Sequence, residues 1–157
     1  DAQNLVRVIK HNRQDILSLA LAHAALDRAI ADPVPYRTDL YGLARWLANT
    51  DESQALALLQ QHQERLCDDG RRLLAHLLRR ADNWTGAVPI WESLAEQGCM
   101  ESIERLAKYH EHISRDLRAA WRYCERLPGS KADLHRRNRL REKLADKPRT
   151  AALRLVV

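Results

Sequence analysis

Several residue types that usually punctuate a fold are scarce in this chain of 157 residues. It has no phenylalanine, five glycines, five prolines and three cysteines. Few positions therefore have to interrupt a helix, and the abundant Leu, Ala and Arg favour helix nearly everywhere. The cysteines form no CxxC pair, so neither a zinc site nor a disulfide framework is expected. Cys67, Cys99 and Cys124 are interpreted as thiols without a functional role.

Long hydrophobic runs are also missing. No apolar segment approaches the ~20 residues that a membrane helix needs, and no signal-peptide pattern opens the chain. The sequence therefore predicts a cytoplasmic protein with no membrane partner. Its only methionine is Met100, which indicates that the sequence begins inside a longer gene product.

The net charge of +5 is concentrated near one end of the chain. Residues 131–157 contain nine basic and three acidic side chains, a net charge of +6, so the rest carries about −1. A basic cluster in this segment could contact the phosphates of DNA or RNA, although a solvated helix face is the commoner alternative. The candidate nucleic-acid-binding residues are Arg136, Arg137, Arg139, Arg141 and Lys143.

Helical spacing of apolar residues runs through the whole chain, and no stretch alternates as a core strand would. The first helix is predicted over about residues 12–31. It ends before Pro33 and Pro35, which cannot continue a helix. Its apolar positions include Ile16, Leu19, Leu26 and Ile30.

An internal repeat follows these prolines. Three segments open on leucines that are 31 and 32 residues apart, and a ladder of alanines recurs at intervals of 32 residues. The leucines are Leu43, Leu74 and Leu106, and the alanines are Ala55, Ala87 and Ala119. Polar breaks in each segment (NTDES, ADNWT and HISRD) supply N-caps for a second helix. Each segment is therefore predicted to form two antiparallel helices joined by a tight turn.

The period near 32 resembles that of the tetratricopeptide repeat (TPR). The predicted fold is an all-α, antiparallel helix-pair solenoid with about eight helices. Three TPR-like helix pairs are expected over residues 38–128, after a linker over residues 33–37. A basic capping helix over residues 129–147 and a tail over residues 148–157 follow. A groove on such a solenoid would bind a partner protein or peptide.

The capping helix is predicted from its first turn and its apolar stripe. Ser130 and Asp133 stand at capping-box spacing. Leu134, Leu140 and Leu144 form a narrow apolar stripe, and the remaining positions are charged. A terminal helix needs such an outer face because no further repeat covers it.

Aromatic residues and one proline inside the repeats are interpreted structurally. Trp46, Trp84, Trp91 and Trp121 could stack bases, but their spacing favours contacts between helices in the core. Pro89 removes one backbone donor and is expected to kink or restart its helix. The string Tyr109-His110-Glu111-His112 is no metal motif, because adjacent histidines point to different helix faces. It is interpreted as a core tyrosine with surface histidines.

The string HNRQDILSLA, residues 11–20, is the strongest hint of chemistry. His11 and Asp15 are four residues apart and share one face of a helix. On spacing alone, a solvated or capping pair is the commoner outcome. The longer string resembles the last motif of YprB-type RNase H-like exonuclease domains, which belong to the DEDD-type nucleases and often precede TPR-like helices.

The resemblance covers residues 4–31 and implies the closing helix of a truncated nuclease domain over residues 1–32. Asp15 would then be a carboxylate ligand of a catalytic divalent metal, Mg or Mn. His11 would lie near the attacking water, in the place where the family has Tyr or His. Asn12 would belong to the motif without an assignable role.

A single carboxylate cannot hold two ions in catalytic geometry, so the chain alone is expected to be no enzyme and to have no cofactor. Three functions remain open. The chain is a scaffold that follows a metal-dependent 3′-5′ exonuclease domain and binds a partner protein or nucleic acid, a stand-alone protein adaptor, or a nucleic-acid-binding module that acts through its basic end.

Overall fold

The structure is a computed structural model that describes the backbone of residues 2–153 and the side chains of residues 3–145. Within that range it is all-α, with eight α-helices, one 3-10 turn and no strand, which confirms the predicted fold class and helix number. The helices are α1 (Ala2–Ala31), α2 (Leu40–Leu47), α3 (Glu52–Gln61), α4 (Asp68–Arg80), α5 (Trp84–Glu96), α6 (Met100–His112), α7 (Leu117–Glu125) and α8 (Lys131–Leu153). No described helix is long and apolar enough to cross a membrane.

The chain divides into two compact units, Asp1–Leu66 and Cys67–Val157. In the first unit, α2 packs against α3. In the second unit, each of the helices α4 to α7 packs against the next one in the chain. Consecutive packing of this kind is what helix-pair repeats use, while the solenoid and the TPR-like assignment remain predictions.

The predicted N-caps are confirmed in all three segments. Asp51 accepts hydrogen bonds from the backbone N–H groups of Ser53 and Gln54 at the start of α3. Asn83 accepts from Gly86 N–H at 3.0 Å and begins α5. Asp116 begins α7 in the same way. Because these caps satisfy donors that the first turn leaves free, short polar breaks are enough to separate the helices of each segment.

The capping box at the start of α8 is also confirmed. Asp133 Oδ2 accepts from Ser130 N–H at 3.0 Å, and Asp133 N–H donates to Ser130 Oγ at 3.3 Å. The helix then runs to Leu153, beyond the predicted end at residue 147. The helix therefore includes most of the predicted tail over residues 148–157, of which residues 154–157 lie outside the described part of the chain.

The first helix is longer than predicted. It begins at Ala2 and not near residue 12, because residues 2–11 contain no proline or glycine and continue the helical spacing. It ends at Ala31, as the two following prolines predict, and Pro33 is buried.

The repeat spacing corresponds to buried positions. Ala55, Ala87 and Ala119 are all buried, with exposed fractions of 3% or less. Leu74 and Leu106 are completely buried on α4 and α6. Small residues at recurrent buried positions let helix backbones approach closely, and large ones fill the space between them.

Three sequence expectations about large or special residues need correction. Trp46 was expected in the core, but it is 52% exposed because α2 buries its other face, with Ala44 and Leu47. Leu134 was placed in the apolar stripe of α8, yet it is 51% exposed. At Pro89, where a kink or a restart was expected, the restart does not occur, since α5 is continuous from Trp84 to Glu96.

Candidate functional site

The most unusual surface of the molecule is the helix α1. Every described residue from 3 to 23 is exposed, and α1 contributes no side chain to the buried hydrophobic core. Nine of the fifteen exposed large hydrophobic residues in the described chain lie on this one helix. They are Leu5, Val6, Val8, Ile9, Ile16, Leu17, Leu19, Leu21 and Leu26. Scattered exposed hydrophobics are ordinary, but a contiguous apolar surface marks an interaction site.

Most of these side chains follow a regular pattern along α1. Positions 5, 9, 12, 16, 19, 23, 26 and 30 are separated alternately by four and three residues, which brings them onto one face of the helix. Six of the eight are Leu or Ile, and the other two are polar. We call this face the α1 seam, and it consists of Leu5, Ile9, Asn12, Ile16, Leu19, His23, Leu26 and Ile30.

A groove adjoins the C-terminal end of the seam. It has a volume of about 460 Å³ and lies between the end of α1 and the start of α2. Its walls are mostly apolar because Leu26, Leu43 and Trp46 contribute to it, together with Thr38, Asp39 and Gly42. Trp46, which is too exposed to be a core residue, therefore belongs to the same apolar surface as Leu26.

The candidate catalytic pair also lies on α1. His11 Nε2 is 3.3 Å from Asp15 Oδ2, so the predicted shared face is confirmed. Both side chains are well exposed, at 75% and 60%. The pair resembles a second one further along the helix, His23 with Asp27, whose Nδ1 and Oδ2 atoms are 3.1 Å apart. Ion pairs this exposed contribute little stability, and their recurrence is typical of helical (i, i+4) pairing.

Asp15 belongs to no metal-binding group among the described residues, where no three His, Cys, Asp or Glu side chains are placed to hold a metal ion together. A site with three or more protein ligands that includes Asp15 would therefore need residues from outside the described part of the chain.

The candidate nucleic-acid-binding cations on α8 are largely engaged by the protein itself. Arg137 donates to the backbone oxygens of Cys124, Glu125 and Leu127, at the end of α7. Arg141 lies over the ring of Trp121, at 6.0 Å from its centroid. These contacts attach α8 to α7, so two of the five cations have structural partners.

The other three cations surround one buried carboxylate, that of Glu111. Arg139 donates from Nε and Nη2 to its two oxygens, at 2.7 and 2.8 Å, and Lys143 donates at 3.0 Å. Arg136, itself only 8% exposed, lies 3.9 Å away. The Glu111 side chain has no exposed surface. We call Glu111, Arg136, Arg139 and Lys143 the Glu111 cluster.

The Glu111 cluster favours the ionised form of the Glu111 carboxylate. Burial raises the pKa of Glu111, but the hydrogen bonds from Arg139 and Lys143 outweigh it and lower the pKa from 4.5 to about 2. A bidentate guanidinium contact of this kind is among the strongest ionic hydrogen bonds in proteins. The cluster therefore joins α6 to α8. Glu111 is buried, whereas the sequence predicted only a core tyrosine and surface histidines for residues 109–112.

Aromatic residues form a half-buried row in the second unit. Trp84 stacks on Tyr109 with 5.4 Å between ring centroids, and His110 stacks on Tyr123 at 5.5 Å. Burial lowers the pKa of His110 and so favours its neutral form. Trp91 is buried, as expected for a core tryptophan. The row therefore joins α5, α6 and α7, and His110 is part of it although it was expected at the surface.

Two features escaped sequence reasoning. The N-terminal half of the seam, with Leu5 and Ile9, was missed because the helix was started near residue 12. The alternating spacing of four and three was the signal that could have found it. The Glu111 cluster has no such signal, because its partners are 25 to 32 residues away in sequence.

Comparisons with known proteins add no assignment to this geometry. The chain matches no protein-family model. Comparisons with curated proteins and with solved structures find no match either. The function proposed for the chain therefore rests on its own surfaces.

Proposed function

We propose that this chain is a helical scaffold that acts by binding another protein through the α1 seam, and that it is not catalytic by itself. One observation carries the proposal. The apolar side chains of the seam are mostly exposed, and α1 contributes no residue to the buried hydrophobic core. In this function, the second unit provides a rigid body, and α1 provides the docking element.

The free energy available at the seam supports this role. Full burial of a Leu or Ile side chain is worth about 1.5–3 kcal/mol. The four most central apolar seam residues, at positions 9, 16, 19 and 26, are each 52–72% exposed. Burying these side chains in an interface would contribute several kcal/mol of favourable free energy, which offsets part of the entropic cost of association. A partner with a complementary apolar surface would therefore bind without any change in the second unit.

Matched substitutions on two faces of α1 test the proposal. Ile16→Ser with Leu19→Ser changes the seam, while Leu17→Ser with Leu21→Ser changes equally exposed side chains on the opposite side of the helix. A protein that binds the immobilised full chain should still bind the Leu17→Ser, Leu21→Ser variant. It should no longer bind the Ile16→Ser, Leu19→Ser variant. Equal retention by both variants would contradict the proposal.

A second candidate function joins this scaffold to a metal-dependent RNase H-like 3′-5′ exonuclease domain. The observation that favours it is the His11–Asp15 pair, whose side chains lie 3.3 Å apart and are well exposed within the HNRQDILSLA string. Asp15 would contribute one ligand for Mg²⁺ or Mn²⁺, and the nuclease domain would contribute the others. Two-metal hydrolysis requires such convergence of several carboxylates.

Two measurements test the nuclease connection. The coding sequence immediately upstream of Asp1 should encode a β-strand segment with an Asp-x-Glu motif, and an upstream segment without one contradicts the connection. The chain alone, incubated with Mn²⁺ and labelled single-stranded DNA, should leave the DNA intact. Degradation that Asp15→Asn abolishes would show instead that this chain is catalytic.

Binding of DNA or RNA through α8 is less well supported than protein binding. The contacts of Arg137, Arg139 and Lys143 hold the helix in place, and only part of each side chain remains free for phosphate. The proposal for a protein partner therefore comes first, and a peptide groove on the repeats remains its alternative location.

A further inference from the structure

We propose that the partner of the α1 seam is the α1 seam of a second copy of this chain, paired in antiparallel orientation. The inference rests on the proposed docking function and names its partner. Its starting point is the spacing of the seam, which alternates between four and three residues from Leu5 to Ile30.

That spacing is specific for another helix. Apolar residues that repeat every 3.5 residues on average form a stripe that stays in register only with a second helix of the same pattern. The seam keeps this pattern for nearly four heptads, which is the length at which helix pairing becomes the expected interpretation. In heptad terms, Ile9, Ile16, His23 and Ile30 occupy a positions, and Leu5, Asn12, Leu19 and Leu26 occupy d positions.

The two polar seam residues favour one orientation. In an antiparallel pair, each a position of one helix lies opposite a d position of the other. Full overlap of the two seams brings Asn12 opposite the partner's His23, and symmetry repeats this contact. Apolar residues then meet only apolar residues, as Ile16 does with the partner's Leu19. A parallel pair would also match polar with polar residues, but it would set each imidazole against a second imidazole, whereas the antiparallel pair gives each imidazole an amide partner.

The chemistry of the Asn12–His23 layer suits a buried pair. His23 Nδ1 lies 3.1 Å from Asp27 Oδ2 on the same helix, which leaves Nε2 for the partner. An asparagine amide carries both a donor and an acceptor, so it can satisfy Nε2 in either protonation state. Single polar layers of this kind set register and orientation at a cost in stability.

The groove beside α2 fits the same orientation. Antiparallel overlap places the partner's N-terminal residues against the C-terminal end of α1, where Leu5 faces Ile30 and Ile9 faces Leu26. The groove lined by Leu26, Leu43 and Trp46 lies at this end. The flanking residue Val6 or Val8 of the partner would enter it, which would cover the exposed Trp46.

The area that the pair buries reaches what a specific dimer needs. Twelve apolar seam side chains, six from each copy, bury on the order of 1,000 Å² at the ~60–120 Å² that full burial of each one implies. Specific interfaces begin near about 1,000 Å². The groove contacts add to this area, so the seam reaches the size of the smaller specific interfaces, which suits a concentration-dependent dimer.

The oligomeric state of the purified full chain tests the proposal. Sedimentation equilibrium over concentrations on the order of 1 to 100 µM should show a mass that rises with concentration from that of the 18.1 kDa chain toward twice that value. The seam variant Ile16→Ser with Leu19→Ser should raise the dimer Kd at least about 100-fold. The control Leu17→Ser with Leu21→Ser should leave it within about threefold. A monomer throughout, or a dimer that both variants retain, would overturn the proposal.

Cross-linking tests the orientation. Chains carrying Leu5→Cys are mixed with chains carrying Ile30→Cys, both with Cys67→Ser to remove the exposed native thiol. Oxidation should join position 5 of one chain to position 30 of the other, since those seam positions face each other. Disulfides between identical positions, 5 to 5 and 30 to 30, would overturn the antiparallel orientation.

The two proposals fail in different ways. If the purified chain is monomeric while its capture of another protein still depends on the seam, the docking function holds and self-association is wrong. A nuclease domain would be one such protein. If neither self-association nor capture depends on the seam, the docking function is wrong as well.

Discussion

The helix α1 and the unit that begins at Cys67 use hydrophobic residues in opposite ways. Of the twenty-two buried hydrophobic residues in the described chain, seventeen lie in the second unit and none lies on α1. Yet nine of the ten large hydrophobic residues on α1 are exposed, and the tenth, Ile30, is only partly buried. The second unit buries many of its apolar side chains in its own core, whereas α1 exposes most of its apolar side chains to solvent.

This difference separates two sources of helix stability. The helices α4 to α8 are stabilised by packing against their neighbours, by caps and by the Glu111 cluster. An isolated helix depends on intrinsic propensity and is marginal in water at ordinary lengths. The helix α1 is rich in Leu, Ala and Arg, so it has good propensity, and a docked partner would supply the packing that it lacks.

The largest effect is expected from matched truncations of one leucine in each region. Leu106→Ala empties a completely buried site on α6 and should lower the free energy of unfolding of the second unit by about 4 kcal/mol. Leu19→Ala, at a site 72% exposed, should change the same transition by less than about 0.5 kcal/mol. Urea denaturation followed by tryptophan fluorescence measures both. Similar losses from the two variants would remove the distinction.

The next effect concerns the buried carboxylate that joins α6 to α8. Glu111→Gln leaves Arg139 and Lys143 without the anion to which they donate and should destabilise the second unit by about 3 kcal/mol. Glu101→Gln is the control, because Glu101 pairs with Arg105 one turn further along α6 on the half-exposed surface and should cost less than about 1 kcal/mol. Equal costs in urea denaturation would show that the Glu111 cluster adds no stability beyond that of a surface ion pair.

The same carboxylate makes the stability of the second unit depend on pH. The pKa of Glu111 is about 2 when folded, below its ordinary value of 4.5, so its contribution is present above pH 4.5 and is lost as the pH falls toward 2. The wild-type chain should lose about 2 kcal/mol more than Glu111→Gln between pH 6 and pH 3. Parallel pH profiles for the two proteins would contradict the lowered pKa.

The smallest effect is expected when a helix N-cap of the second unit is compared with an exposed position on α1. Asn83→Ala removes the side-chain acceptor for Gly86 N–H at the start of α5 and should cost about 1 kcal/mol. Asn4→Ala, on the exposed face of α1, should leave the second unit unchanged. Thermal unfolding followed by circular dichroism resolves the difference, and identical midpoints for both variants would contradict the role of the cap.

Local chemistry was readable from the sequence, and long-range pairing was not. Helix breaks were predicted because caps such as Asp51 and Asn83 act within three residues of their position. The all-α class followed from helical spacing. The position of Glu111 could not be predicted, because adjacent helices bring Arg139 and Lys143 to it from far along the chain. The basic residues of α8 were interpreted as a possible contact with nucleic acid or, more commonly, as a solvated helix face, because the sequence does not reveal their intramolecular partners.

The candidate site was predicted only in part. His11 and Asp15 lie on one face of α1, as their spacing of four requires. The sequence pattern did not reveal that residues 3–23 of this helix are all exposed, because an amphipathic helix usually buries its apolar face in its own domain. The role of α1 therefore became visible only when the structure placed those side chains outside the core.

Hydrogen exchange at two protein concentrations tests the central claim most directly, because it reports on both regions in one sample. At a concentration on the order of 1 µM the α1 amides should exchange nearly without protection, and near 100 µM they should slow at least about tenfold as the seam is covered. The amides of α4 to α7 should be strongly protected and unchanged at both concentrations. If α1 were as protected as α6 at the lower concentration, or equally unprotected at both, the proposed pairing of the α1 seam would be wrong.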